Sequence, residues 1–348
     1  MTRNDRLRRG PRRTALTRTA AGRMPRRFAA LLAGFAAPRN LIPSGVGLIA
    51  LLIAVSASAE SVAPDPKRAF EDRDLAPIEA WLAAQPEAVL ESAARLRARA
   101  WLARRDGDDE RARRLIDEAI ELDPVRADLR VDRAALQSGR LEGAGAFKSM
   151  RIARRLRRDL EAALEFDPEH VGAMIALIRF HREAPGIVGG DETRAEALMQ
   201  RLEQASPAHH QLQRALDAAD AGRLDAAIEA IGIALRTAED PPLKWHVRLG
   251  NWLAESGRID EAFEAYLQAL ERSPEFPPAL YAIGVLSVDS GMRRSTGVEA
   301  LQALTRSSAW SPDAPVAEAW RLLAVLLEQS GQADAAAAAT ERSQALKA

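Results

Sequence analysis

From about residue 93 onward, apolar and polar positions alternate with the period of a helix. In DERARRLIDEAIEL, Ala112, Ile116 and Ala119 recur at three- or four-residue intervals, and IDEAFEAYLQALER repeats the spacing with Ala262, Tyr266, Ala269 and Leu270. Such spacing stacks side chains on one face of an α-helix, whereas a strand needs a period of two. Each periodic run is short and closes on Gly or Pro, which predicts many brief helices joined by tight turns. The stretch LAPIEAWLAAQP, before the first of these runs, predicts one more helix. An excess of Ala, Leu, Arg and Glu with few aromatics agrees with an all-α fold.

The punctuation itself repeats. Pro207, Pro241 and Pro274 lie 34 and 33 residues apart, and residues 242–274 contain Leu249, Gly250, Leu253, Gly257, Ala262, Tyr266, Ala269 and Pro274. Small residues at Gly250 and Ala262 let two helices approach closely, while the larger side chains fill the seam between them. The same theme returns as Trp320, Leu323, Ala324, Leu327, Gly331 and Ala336, as Gly107, Ala112, Ile116, Ala119 and Pro124, and as Gly222, Ala227, Ile231 and Ala234. This pattern resembles the tetratricopeptide repeat family: a helix, a Gly turn, a second helix and a closing Pro. Weaker units close at Pro168, Pro207 and Pro312, with the extra residues assigned to the turns SGRLEGAGAF, APGIVGG and SGMRRSTG. About seven helix pairs are counted over residues 93–348, after a helical leader at 60–92. The resemblance implies a right-handed α-solenoid whose inner helices line a concave surface that binds a peptide or protein.

Charge divides the chain unevenly. Residues 1–59 hold eleven Arg and one acid, Asp5, so the 49 basic and 49 acidic residues leave 38 against 48 from Glu60 onward, about ten negative. That sign gives no general attraction to nucleic acid. The basic segment runs into the uncharged LIPSGVGLIALLIAVSASA, whose apolar core is short for a bilayer span and whose end at Ala57 and Ala59 suits a signal peptidase. Residues 1–59 are therefore expected to be a signal peptide, with Met24 as an alternative start. Export to a bacterial periplasm or beyond is the expected location, and an uncleaved anchor facing the periplasm is the alternative.

Chemistry is sparse. The five histidines, His170, His181, His209, His210 and His246, show no metal-binding spacing, Cys is absent, and no G-x-S-x-G elbow occurs. EAPGIVGGDE follows a helix and leads into acids, lacking the strand and the Gly-Lys-Ser/Thr of a phosphate loop. It reads as an enlarged inter-helix turn, a PGIVGG turn similar to that of many bacterial tetratricopeptide proteins, with Ile187 and Val188 packing locally or meeting a partner. No catalytic residue, metal or cofactor is expected; an enzyme with a site in the leader or loop insertions is the third reading.

The remaining candidate is the inner face. Away from the seam it offers Arg97, Trp101, Arg104, Arg179, Arg182, Asn251, Tyr281 and Arg321. Several Arg along one strip suit an acidic protein or peptide segment. Asn251 after Gly250 is similar to the asparagine of carboxylate-clamp repeats, but Val247 and Val285 replace that clamp's other residues, so the clamp is not carried over. The expectation is a non-catalytic scaffold or adaptor in the cell envelope, with a membrane-anchored recruiter as the alternative.

Overall fold

The computed structural model describes residues 63–84, 92–141, 143–307 and 314–346. The expected signal segment, residues 1–59, lies outside these. Among the described residues the structure is helical, without strands, and no helix is long and apolar enough to cross a membrane.

Two short leader helices, α1 (Pro66–Glu71) and α2 (Ala76–Ala83), precede seven antiparallel pairs. The pairs are α3 (Ala93–Arg105) with α4 (Asp109–Leu122), α5 (Ala127–Ser138) with α6 (Ala146–Phe166), and α7 (Val171–Glu183) with α8 (Glu192–Ala205). They continue as α9 (Pro207–Asp220) with α10 (Leu224–Thr237), α11 (Leu243–Glu255) with α12 (Ile259–Arg272), α13 (Pro277–Ser290) with α14 (Arg294–Arg306), and α15 (Val316–Gln329) with α16 (Ala333–Ala345). Each pair packs tightly on itself and then on the next, the arrangement of an all-α solenoid.

The local reasons are visible in α11 and α12. Gly257, between them, takes φ +80°, a left-handed conformation that a side chain resists. Asp260 and Glu261 then sit in the first turn of α12 and Arg272 in its last, matching the helix dipole. Ala262, Ala265, Tyr266 and Ala269 form its buried stripe. A Cβ on Gly250 would lie 2.2 Å from the Tyr266 ring, so the glycine is what lets the ring cross α11.

Two of the expected insertions are placed differently. SGMRRSTG is not an enlarged turn: α14 begins at Arg294, and the extra residues fall after Arg306, between pairs. Likewise Ala146 and Phe147 already belong to α6, which runs 21 residues, so part of that insertion lengthens a helix. The PGIVGG segment is a turn, with a 3-10 turn at Gly186–Val188. Val188 is buried and Ile187 is 72% exposed, so the two apolar tip residues divide between packing and solvent. A Cβ on Gly190 would meet the Ala184 carbonyl at 1.8 Å.

Candidate functional site

The first helices of successive pairs form one face, and α1 shows how strongly it curves. This six-residue helix packs against α3 and also reaches Asp240 and Lys244, about 170 residues away in sequence, at the start of α11. The row of first helices therefore bends around the leader.

Sequence and packing explain the docking. Asp65 caps α1 by accepting from the Lys67 amide at 3.2 Å, and Pro66 occupies the first turn, where no N–H is needed. Phe70 lies 5.1 Å from the Trp101 ring, and Leu75 and Ile78 join it on Ala98, Trp101 and Ala135. Charges fasten the edges. Arg97, buried on α3, donates to Asp132 of α5 at 2.5 Å and pairs with leader residue Asp65 at 2.9 Å. The Trp101 indole donates to the same Asp132 oxygen at 3.0 Å. Lys244 meets Glu71 at 2.5 Å, and Arg68 meets Asp240 at 3.4 Å.

Burial shapes the titration of these groups. It lowers the Lys67 ammonium against the opposing pull of Glu71, and it raises the Glu71 carboxyl against the opposing pull of Lys244. Burial alone would lower Arg97, but Asp132, Asp65 and Asp128 outweigh it and hold the guanidinium charged. Burial would raise Asp128; instead a hydrogen bond from His170 and the charge of Arg97 keep it well below the carboxylate range. His170 Nδ1 accepts from the Ala173 amide at 3.2 Å and so caps α7, which assigns the proton to Nε2, 3.1 Å from Asp128. His209, edge-on to Trp245 and bonded to Ser206 at 2.8 Å, is pulled down to about 4 by burial, with Lys244 and Arg68 adding to the effect.

Further along, the same face is open. Val247, Asn251 and Ala254 of α11 and Tyr281, Ala282 and Val285 of α13 line a cleft of ≈ 460 Å³. Tyr266 donates to Asn251 at 2.8 Å, fixing the amide at the rim of a largely apolar floor.

The eight residues expected to share one open Arg-rich strip are thus separated. Arg97 and Trp101 face inward but are 5% and 2% exposed beneath the leader, which corrects their expected accessibility. Arg104 is paired with Asp109 of the following helix, and Arg182 with Asp217 at 2.6 Å. Arg179 is half-buried, its guanidinium pulled down to about 10 by burial, with Arg248 adding and Glu183 opposing. Asn251 and Tyr281 do meet, in the open cleft, while Arg321 pairs with Glu318 and borders a separate hollow near α16. Sequence reasoning missed Glu71, Asp132, Asp240 and Lys244. Asp132, between Val131 and Arg133 in ADLRVDRAALQS, gave no local sign of its burial. Among the described residues, no group of His, Asp and Glu is arranged to hold a metal ion.

An array of helix pairs stacked in this way, with a continuous face of first helices, defines an all-α solenoid of tetratricopeptide-like pairs. Residues 212–277 match the family model described as tetratricopeptide repeat. The peroxisomal targeting signal receptors of Candida glabrata and Candida albicans are 36% and 35% identical over 81 residues, covering 23% of this chain and 14% of each receptor. The chain therefore spans a small part of the length of these relatives. The solved structure of the APC/C hetero-tetramer Cut9-Hcn1 is similar over 80% of this chain and 53% of its own, at 17% identity and a TM-score of 0.49.

Proposed function

We propose that this protein is a non-catalytic scaffold whose inner face receives a segment of a partner protein, with the cleft between α11 and α13 as the main contact. One observation carries the reading: the same face already holds a helical segment, the chain's own leader, by an apolar anchor at Phe70 and charge pairs at its edges. A surface of this shape and chemistry suits a second segment where it is uncovered. The matched relatives are receptors for a targeting signal by name, which agrees with segment recognition. The open cleft is floored by Val247, Ala282 and Val285 with Asn251 at its rim, so its partner is apolar on one side and carries a hydrogen-bonding group. Acidic groups on the partner would meet Arg179 and Arg248 at the middle of the face.

Export belongs to the same proposal, on the order of basic, apolar and small residues through Ala59. N-terminal sequencing of the mature chain is expected to find residues 1–59 removed; a chain retaining Arg26 and Arg27 in the membrane fraction favours the anchor instead. A photo-crosslinking residue at Tyr281 is expected to capture the partner, and one at exposed Arg114 on the outer helix α4 is not. Capture from Arg114 alone would overturn the groove reading.

A further inference from the structure

The lengthened helix α6 carries a surface that the inner-face reading does not use. Residues 146–158, AFKSMRIARRLRR, contain six cations and no acid, although the chain from Glu60 onward, this stretch included, is about ten charges negative. The buried stripe of α6 is Ser149, Ile152, Ala153, Leu156 and Leu160, so its opposite face is turned to solvent. Phe147, Arg151, Arg154 and Arg158 follow one another at four-, three- and four-residue intervals on that face, flanked by Lys148 and Arg155, and all six are exposed. Phe147 is 86% exposed, the most exposed large hydrophobic side chain among the described residues.

The PGIVGG turn adds to this face. Arg154 donates to the Ile187 carbonyl at 3.1 Å, and the Arg157 guanidinium lies where a Cβ on Gly189 would be, so the turn is seated on α6. Its tip residue Ile187 is 72% exposed. The patch ends at Glu161, shared at 3.6 and 3.7 Å by Arg157 and Arg194. Two apolar prongs, Phe147 and Ile187, thus project from a field of guanidinium groups.

We propose that this face docks the solenoid on an anionic lipid surface, the Arg and Lys meeting headgroup phosphates while Phe147 and Ile187 enter the interfacial layer. An aromatic and a branched aliphatic set among cations fit a bilayer interface, where apolar insertion and charge attraction act together. The acidic remainder of the chain is repelled by the same surface, which fixes the orientation with α6 toward the lipid. This docking is independent of what the inner face binds.

Co-sedimentation of the full chain with phosphatidylglycerol-containing vesicles tests it, against pure phosphatidylcholine vesicles and a DNA duplex. Binding is expected only to the anionic vesicles and to weaken with added salt. Replacing Arg151 and Arg155 together by Glu should lower partitioning by about tenfold or more. Phe147→Ser with Ile187→Ser should lower it roughly five- to thirtyfold while leaving the charge unchanged. Both sets of positions are exposed, and an unaltered circular-dichroism spectrum shows that the loss is not unfolding. Equal binding to phosphatidylcholine, binding to DNA that survives the Phe147 and Ile187 changes, or no vesicle binding would each overturn the proposal.

Discussion

Two stretches of one helical face behave as different surfaces. Along α3 and α5 the inner face is sealed: Trp101 and Arg97 lie under Phe70 and Asp65 of the leader, and a carboxylate from Asp132 satisfies both. Along α11 and α13 the same repeat geometry leaves Val247, Asn251, Tyr281 and Val285 facing an open cleft. Stacked pairs provide a continuous face in both places. What differs is the side-chain set, buried charge in the first stretch and apolar side chains with one amide in the second, and the presence of a covering segment. Repeat architecture thus fixes where a groove runs, and individual residues decide which part of it is available.

The largest expected effect lies in the sealed stretch. Asp132→Ala removes the acceptor of both Arg97 and Trp101 and leaves a buried guanidinium short of its closest partner, so a loss of about 3–5 kcal/mol in chemical denaturation is expected. Tyr281→Ala in the open cleft, where the ring is only half-buried, is expected to cost far less and to remove partner capture instead. Equal stability losses at the two sites would erase the distinction between them.

Next comes the leader itself. Phe70→Asp places a carboxylate against the Trp101 ring and should free α1 and α2 without disturbing the seven pairs. Acrylamide quenching of Trp101 fluorescence should rise, and a labelled peptide of residues 63–84 should bind this variant in trans while the wild-type chain excludes it. Failure of the peptide to bind a variant with exposed Trp101 would mean that the covering is incidental packing.

Acid provides a gentler perturbation. His209 titrates at about 4 in the folded chain against an ordinary 6.5, so the unfolded chain takes up a proton first. Its contribution is complete above pH 6.5 and declines as the pH falls toward about 4. Glu71, raised by burial, acts in the opposite sense, so comparison with His209→Gln isolates the histidine. The difference in stability between wild type and that variant should shrink across this window; a constant difference would show that His209 is not held neutral.

The smallest effect concerns the PGIVGG turn. Val188→Ala should cost roughly 1–2 kcal/mol, because the side chain is buried, whereas Ile187→Ser should stay within about 0.5 kcal/mol. Thermal denaturation of the two variants checks this, and a reversed order would mean that the exposed residue carries the packing.

Much of the fold was legible because its signals are local. Gly257 and Gly107 mark turns through their own backbone conformation, and Gly250 with Ala262 marks close helix packing. Insert placement was less legible: RSTG reads as a turn by composition yet forms the first turn of α14, since length alone does not tell which side of a helix the extra residues fall on. The candidate site was legible in one respect only. Asn251 and Tyr281, chosen from helical register, do line one cleft, but the covering of Arg97 and Trp101 was hidden. It depends on the curvature of the whole array, which brings Glu71 to Lys244 across more than 170 residues, and on α1, too short at six residues to show a period.

That covering is the central claim, and the absence of Cys from the chain makes it directly measurable. With Asp74→Cys and Glu239→Cys each carrying a spin label, double electron–electron resonance is expected to give one short, narrow distance population, because Arg68 reaches Asp240 and Glu71 reaches Lys244. Addition of Phe70→Asp should broaden and lengthen it. A broad, long distribution already present without that substitution would contradict the account, since the leader would then lie away from the inner face.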